Sequence, residues 1–185
     1  MSVVSSAAWR RLDVPGTDNC SLLKTEEGWA LAGLAEFAHA QGWVCVSYRV
    51  DCDPGWATRS AEIHGTVGAR HFAYRIQHKR VWTLNGEPGG HVDALVDIDF
   101  GFTPATNFLL MKRLAFPMNE PVAVSVAWFD LGENRLTDLP QRYTRRSATE
   151  FWYESPTAEY AGLLVLAENG FVQSYPGLWV QDAAS

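Results

Sequence analysis

The chain has 185 residues, with 15 Lys and Arg against 21 Asp and Glu, a formal charge of −6, 12% aromatic residues and eight Trp. With only 19% charged residues, so apolar a chain is not disordered, and net acidity without a Lys/Arg block argues against a nucleic-acid or anionic-membrane partner. No apolar run reaches the ~18 residues of a membrane span, which leaves one soluble, compact domain over residues 1–185 with a sizeable core.

The first residues read MSVVSSAAWRRLD. Their apolar stretch is too short and too broken for a signal sequence, and Arg10-Arg11 follow it instead of preceding it, so the expectation is a cytoplasmic protein. Cys20, Cys45 and Cys52 form no CxxC and no Cys/His zinc spacing. They read as small hydrophobes in a reducing compartment.

Turn residues recur at roughly ten-residue intervals, as in an all-β chain. Pro15-Gly16, Glu27-Gly28, Gln41-Gly42, Pro54-Gly55, Asn85-Gly86, Gly132, Asn169-Gly170 and Pro176-Gly177 are examples. Between them the apolar pattern alternates. Val44, Val46, Tyr48, Val50 and Cys52 form one face of a strand, opposite Cys45, Ser47, Arg49 and Asp51. After a turn at Asp53-Pro54-Gly55, Trp56, Thr58 and Ser60 share a face and Arg59 takes the other. That face suits a sugar or head group, and equally suits core beside solvated hydroxyls. Segment 70–78 alternates Phe72, Tyr74 and Ile76 with polar residues. The histidines are scattered and suggest no metal triad.

Val96-Asp97-Ile98-Asp99-Phe100 puts two carboxylates on one strand face, roughly 6.5–7 Å apart. Acid/base chemistry, a hard cation and ligand contacts are all open to such a pair. Ion pairing with the nearby Lys112 and Arg113 is the better-supported use, because enclosed cations must be paired. The next segment opens with Thr103 as N-cap and Pro104 at the first helical position, and closes with Lys112 and Arg113. A helix over about 104–114 is predicted. Phe108, Leu109, Leu110 and Met111 make it apolar all round, hence buried on all sides. One short wrapped helix in a β chain implies a sheet curled around it.

Val122, Val124 and Val126 continue the alternation, as do Phe151 and Tyr153. Gln141-Arg142-Tyr143-Thr144-Arg145-Arg146 is the one basic run, read as an exposed strand face with interstrand ion pairs or as a small anion patch. Residues 161–174 form a late hairpin around Asn169-Gly170. There is no GxSxG, HExxH, P-loop or dinucleotide motif, so neither an enzyme nor a metal or cofactor is expected.

Several strings resemble those of the putative glycolipid-binding family, a bacterial former domain of unknown function. They are Trp9-Arg10-Arg11-Leu12, Trp56-x-Thr58-Arg59-Ser60, Asp99-x-Gly101-Phe102-Thr103-Pro104-Ala105-Thr106-Asn107, Lys112-Arg113-Leu114, Gln141-Arg142-Tyr143-Thr144, Tyr153-Glu154-Ser155 and Tyr175-Pro176-Gly177-Leu178-Trp179. Residues 108–113 lack the Pro that the family carries there, which predicts an unkinked helix. The resemblance implies a mainly β fold, a spiral β-roll in which a long curled antiparallel sheet wraps a single α-helix, often as a homodimer. It also implies a non-enzymatic protein for an amphipathic ligand such as a glycolipid. Trp56, Trp82, Phe102, Phe108 and Tyr153 would supply apolar walls. Thr58, Arg59, Asp97, Asp99, Asn107, Arg113, Gln141 and Tyr143 would supply head-group contacts. Two alternatives stay open, a self-filled roll acting as a dimer and a hydrolase using Asp97, Asp99 or Asp53.

Overall fold

The computed structural model describes residues 1–182. The N-terminal half is a meander of β1 (Ser2–Arg11), β2 (Gly16–Lys24), β3 (Trp29–His39), β4 (Gly42–Cys52), β5 (Thr58–Val67), β6 (Arg70–His78), β7 (Trp82–Leu84) and β8 (Glu87–Pro88). β9 (Ile98–Phe100) and α1 (Asn107–Arg113) follow. A second meander then runs through β10 (Pro121–Phe129), β11 (Leu136–Arg145), β12 (Glu150–Ser155), β13 (Tyr160–Leu166), β14 (Val172–Tyr175) and β15 (Trp179–Gln181). The fifteen strands among the described residues belong to one sheet, ordered β8-β7-β6-β5-β4-β3-β2-β1-β15-β14-β13-β12-β11-β10-β9. The halves join where the first strand pairs with the last, Trp9 opposite Gln181.

Every pairing between neighbouring strands is antiparallel except β9 with β10. That exception explains the helix. Parallel neighbours cannot be joined by a hairpin, so the chain between them crosses over through α1. The sheet does not close, but its two ends approach each other. Ile98 N donates to the Thr58 hydroxyl of β5 at 3.2 Å, and Tyr74 of β6 packs on Phe129 of β10 with ring centroids 4.9 Å apart. The result is the mainly β spiral roll around a helix.

Alternation decides which side chains point inward. Val44, Val46 and Val50 are fully buried, with Tyr48 and Cys52 beside them, while Trp43 on the opposite phase is exposed. Two packed clusters follow. The larger joins the N-terminal meander to α1 through Trp9, Leu31, Ile63, Trp82, Phe108 and Phe171. The smaller lies in the C-terminal meander around Leu110, Phe116, Tyr143, Phe151 and Tyr153.

Three local expectations change. The helix starts at Asn107, and its N-cap is Thr106. Thr103 accepts from Ala105 N at 3.0 Å in a turn of its own, which takes it out of the helix. The wrapping is also partial: Asn107 to Leu110 are buried, Met111 is half-buried, and Lys112 is exposed with its ammonium 5.0 Å from the Phe108 ring centre. A seven-residue helix simply reaches the rim of the roll before its last turn. Finally, Thr58 and Ser60 do not share a face. The register shifts between Asp51 and Cys52, so Ser60 faces Asp51 and Thr58 faces Cys52. This bulge at Arg59 turns Thr58 inward and leaves Ser60 half-exposed.

Candidate functional site

Between α1 and the inner face of the C-terminal meander lies a pocket of about 370 Å³. Asp99 and Phe100 of β9, Thr103 in the turn that follows and Asn107 at the start of α1 form one side; Trp128, Leu139, Tyr153, Tyr160, Tyr175 and Trp179 are among the residues of the other. Three tyrosines of the wall pack together, with Tyr143 behind them. Ring centroids of Tyr143 and Tyr153 are 4.8 Å apart and tilted, those of Tyr153 and Tyr175 5.8 Å and of Tyr160 and Tyr175 5.1 Å apart and edge-on. Such contacts add to the packing of large side chains. Burial pushes the phenols of Tyr143, Tyr153 and Tyr175 above their ordinary range, so they stay neutral.

The polar floor is a directed chain of hydrogen bonds. Asn107 Nδ2 donates to the Tyr143 hydroxyl at 3.2 Å, which donates to Gln141 Oε1 at 3.1 Å; Gln141 Nε2 then donates to Asp99 Oδ2 at 2.9 Å. Thr106 donates to the other oxygen, Asp99 Oδ1, at 2.5 Å and accepts from Phe100 N at 3.2 Å. Burial raises the Asp99 pKa, opposed by the bonds from Thr106 and Gln141. Asp99 remains half-exposed because it opens onto the pocket.

The neighbouring carboxylate is used differently. Asp97 is buried and receives the forked guanidinium of Arg113, Nε at 2.7 Å and Nη2 at 2.6 Å. Strand alternation puts both carboxylates on the helix side, but only Asp97 captures a cation. The expected pairing of both with Lys112 and Arg113 is thereby halved, because Lys112 points to solvent.

Of the residues expected to meet a ligand, Asp99, Asn107 and Tyr153 line the pocket, and Gln141 and Tyr143 stand directly behind it. Asp97 and Arg113 are spent on each other. The remaining six lie elsewhere. Trp56 has φ 73° and stacks on Trp29 at 4.4 Å, Thr58 joins β5 to β9, Arg59 is exposed 3.6 Å from Glu27, and Trp82 is buried with its indole N–H on Leu95 O at 2.8 Å. Phe102 and Phe108 sit in the core. On the basic run, Arg142 forks onto Glu154 across the β11–β12 pair at 2.8 Å, the interstrand ion pair that alternation suggests.

A match to the family model described as putative glycolipid-binding spans residues 6–181. The chain belongs to that family. A crystal structure of a DUF1089 family protein from Pseudomonas aeruginosa has the same fold, with a TM-score of 0.75 over 97% of this chain and 93% of that chain, at 20% identity. No curated protein matches.

In this member of the putative glycolipid-binding family, the string Gly101 to Asn107 supplies residues to the pocket and its polar floor. Thr106 and Asn107 serve the Asp99 chain, and Thr103 reaches a second buried acid, Asp18. Asp18 is fully buried and accepts from the Tyr48 hydroxyl at 3.1 and 3.0 Å as well as from Thr103. Burial pushes its pKa up to about 7, against the opposing pull of the Thr103 and Tyr48 hydroxyls. Sequence reasoning missed Asp18, although it sits in phase with the inward-facing Cys20 and Leu22. It also missed Tyr160 and Tyr175 as wall residues, since a strand face shows no pocket until it curls.

Gly33 positions Tyr48. The two are opposite each other across β3 and β4, and a Cβ at Gly33 would lie 2.3 Å from the Tyr48 hydroxyl oxygen. Gly33→Ala is therefore expected to cost about 1–3 kcal/mol by overpacking, measured by urea unfolding; a loss below 0.5 kcal/mol, the usual range of a neutral surface change, would show that Tyr48 can move aside.

Proposed function

We propose that the protein is a non-enzymatic binding protein whose tyrosine-lined pocket takes an amphipathic small molecule such as a glycolipid. The carrying observation is the pocket itself. Its volume falls within the range of small-molecule sites, and an aromatic wall faces a short, fully partnered polar floor. The aromatic rings offer a face to a sugar or an acyl chain, and Asp99, Asn107 and Thr103 offer polar contacts to a head group. Membership of the putative glycolipid-binding family agrees with a binding role. Asp97 is locked to Arg113, so it is not free to act as one of a pair of catalytic acids. A reducing, cytoplasmic setting fits the three free cysteines.

Native mass spectrometry after gentle purification, with thermal shifts in a lipid extract, tests this reading. The expected result is a co-purifying amphiphile and a raised Tm. Thr157 is exposed at the pocket's rim, so Thr157→Trp should obstruct the mouth and abolish the lipid-induced shift while leaving the unliganded Tm within 2 °C, as surface changes do. No bound lipid, and the same shift in parent and variant, would count against it.

A second reading is a self-filled roll acting as a dimer. The packing of Phe108 and Leu109 of α1 into the larger core favours it, because the helix itself fills interior space of the roll. Light scattering of the ligand-free protein decides whether it dimerises.

A further inference from the structure

We infer that the pocket selects a ligand carrying a positively charged amine or quaternary ammonium group, held between the Asp99 carboxylate and the aromatic wall. This deepens the binding reading above and rests on it.

Charge comes first. Asp99 and the exposed Asp138 contribute carboxylates to the lining, and among the described residues no Lys, Arg or His contributes to it. Both oxygens of Asp99 receive neutral donors only, Thr106 and Gln141. The cations close in sequence are diverted: Arg113 is held by Asp97, and Lys112 lies over the Phe108 ring at the surface. Arg11 approaches Trp179, with its guanidinium 5.1 Å from that ring's centre, but it is forked onto Asp13 at 2.8 and 2.9 Å and lines the adjoining hollow with His39 and Arg70. Arg11, His39 and Arg70 thus lie with Asp130 on the adjoining hollow, and Asp99 is left without a counter-ion in this one.

Aromatic faces come second. Tyr153, Tyr160, Tyr175, Trp128 and Trp179 contribute aromatic rings to the lining; the negative potential of a ring face attracts a cation, and an ammonium with apolar substituents gains both this attraction and burial. The same surroundings work against an anion, because a sulfate or phosphate would meet the carboxylate where screening is weak. A neutral sugar could accept or donate hydrogen bonds here but would leave the carboxylate uncompensated. Asp18 offers no such site, since it is enclosed on all sides by the Tyr48 and Thr103 hydroxyls and the strand.

An ammonium could come from an amino sugar head or from an alkylammonium. Four monomeric probes with the same octyl tail separate these sources and the sign of charge: octyltrimethylammonium, octyl glucosaminide, octyl glucoside and octyl sulfate. Dissociation constants come from calorimetry below micelle formation. One or both cationic probes should bind at least tenfold more tightly than the glucoside, with the sulfate weakest; which of the two leads identifies the source. Asp99→Asn removes the charge and should erase that tenfold preference, read within the variant as the ratio of the cationic-probe constants to the glucoside constant. Glu27→Gln, an equal change of net charge at an exposed side chain away from the pocket, should preserve the preference. If the glucoside binds as well as its amino counterpart and the trimethylammonium, or if the preference survives in Asp99→Asn, the inference is overturned while ligand binding by the pocket stands. If no probe binds, both readings fall.

Discussion

Replacing Asp18 by Asn should stabilise the protein by roughly 3–5 kcal/mol at pH 8 and change it little near pH 4. The sign follows from where the proton sits. In the unfolded chain an Asp ionises near its ordinary value, whereas burial holds the folded Asp18 protonated up to about 7. Between those values the native state binds a proton that the unfolded state has released. Native stability from this residue is therefore fully present below the unfolded pKa, and it is lost by about 1.4 kcal/mol per pH unit until the folded pKa is passed. The physical cause is desolvation. Tyr48 and Thr103 give hydrogen bonds to the carboxyl, but among the described residues it forms no salt bridge that would stabilise its charge. Asn keeps the shape and the mix of donor and acceptor of the protonated acid without ionising. Urea unfolding of parent and variant at several pH values measures the difference, and a difference that does not change between pH 4 and pH 8 would falsify the assignment.

Loss of Arg113 is the second large effect. Its partner Asp97 has a side chain only 2% exposed, while Arg113 itself is 25% exposed. Removing the guanidinium leaves a buried carboxylate with no counter-charge, which costs about 3–5 kcal/mol. For a chain of this length Arg113→Ala should lower Tm by roughly 6–20 °C. The pair is not expected to be worth that much by itself. Two buried charges also lose their hydration on folding, so replacing both by apolar groups of similar volume often comes out near neutral. Arg113→Met with Asp97→Leu should accordingly recover most of the loss. A double-mutant cycle by thermal and urea unfolding separates the two ideas. If the single variant loses less than 1 kcal/mol, or the double variant is worse than the single, Arg113 has another role at the end of α1.

These two acids show how far residue order carries. Strand alternation alone places Asp97 and Asp99 on one face, and it places Val44, Val46 and Val50 in the core. The chain's own periodicity does this, because successive strand side chains point to opposite faces. An interstrand ion pair was equally legible for the basic run, though its partner, Glu154, was not. The helix was legible as well, though its start was not. Thr103-Pro104 is a good opening signal, but Thr103 is drawn into a turn and towards Asp18, contacts that come from β2 far away in sequence.

Other features required the folded chain. Trp56, Thr58 and Ser60 lose their common face to a bulge whose cause is pairing with β4. Tyr160 meets Tyr153 through the register of β12 with β13, and Tyr175, two strands from Tyr153, reaches it because the C-terminal meander curls.

By itself, then, the sequence determined the fold class, the membership of the inward faces and the presence of a helix inside the sheet. All of these depend on local periodicity and on turn residues spaced along the chain. Tertiary structure alone decided which acid received the cation, which acid was left facing a cavity, and which aromatic rings surround it. Asp97 and Asp99 differ by two positions on one strand, yet one meets Arg113 and the other meets Thr106, Gln141 and the pocket. Identical side chains acquire opposite uses there because burial, counter-charge and open space are set by distant strands brought together by the curl, and none of these is a property of local sequence.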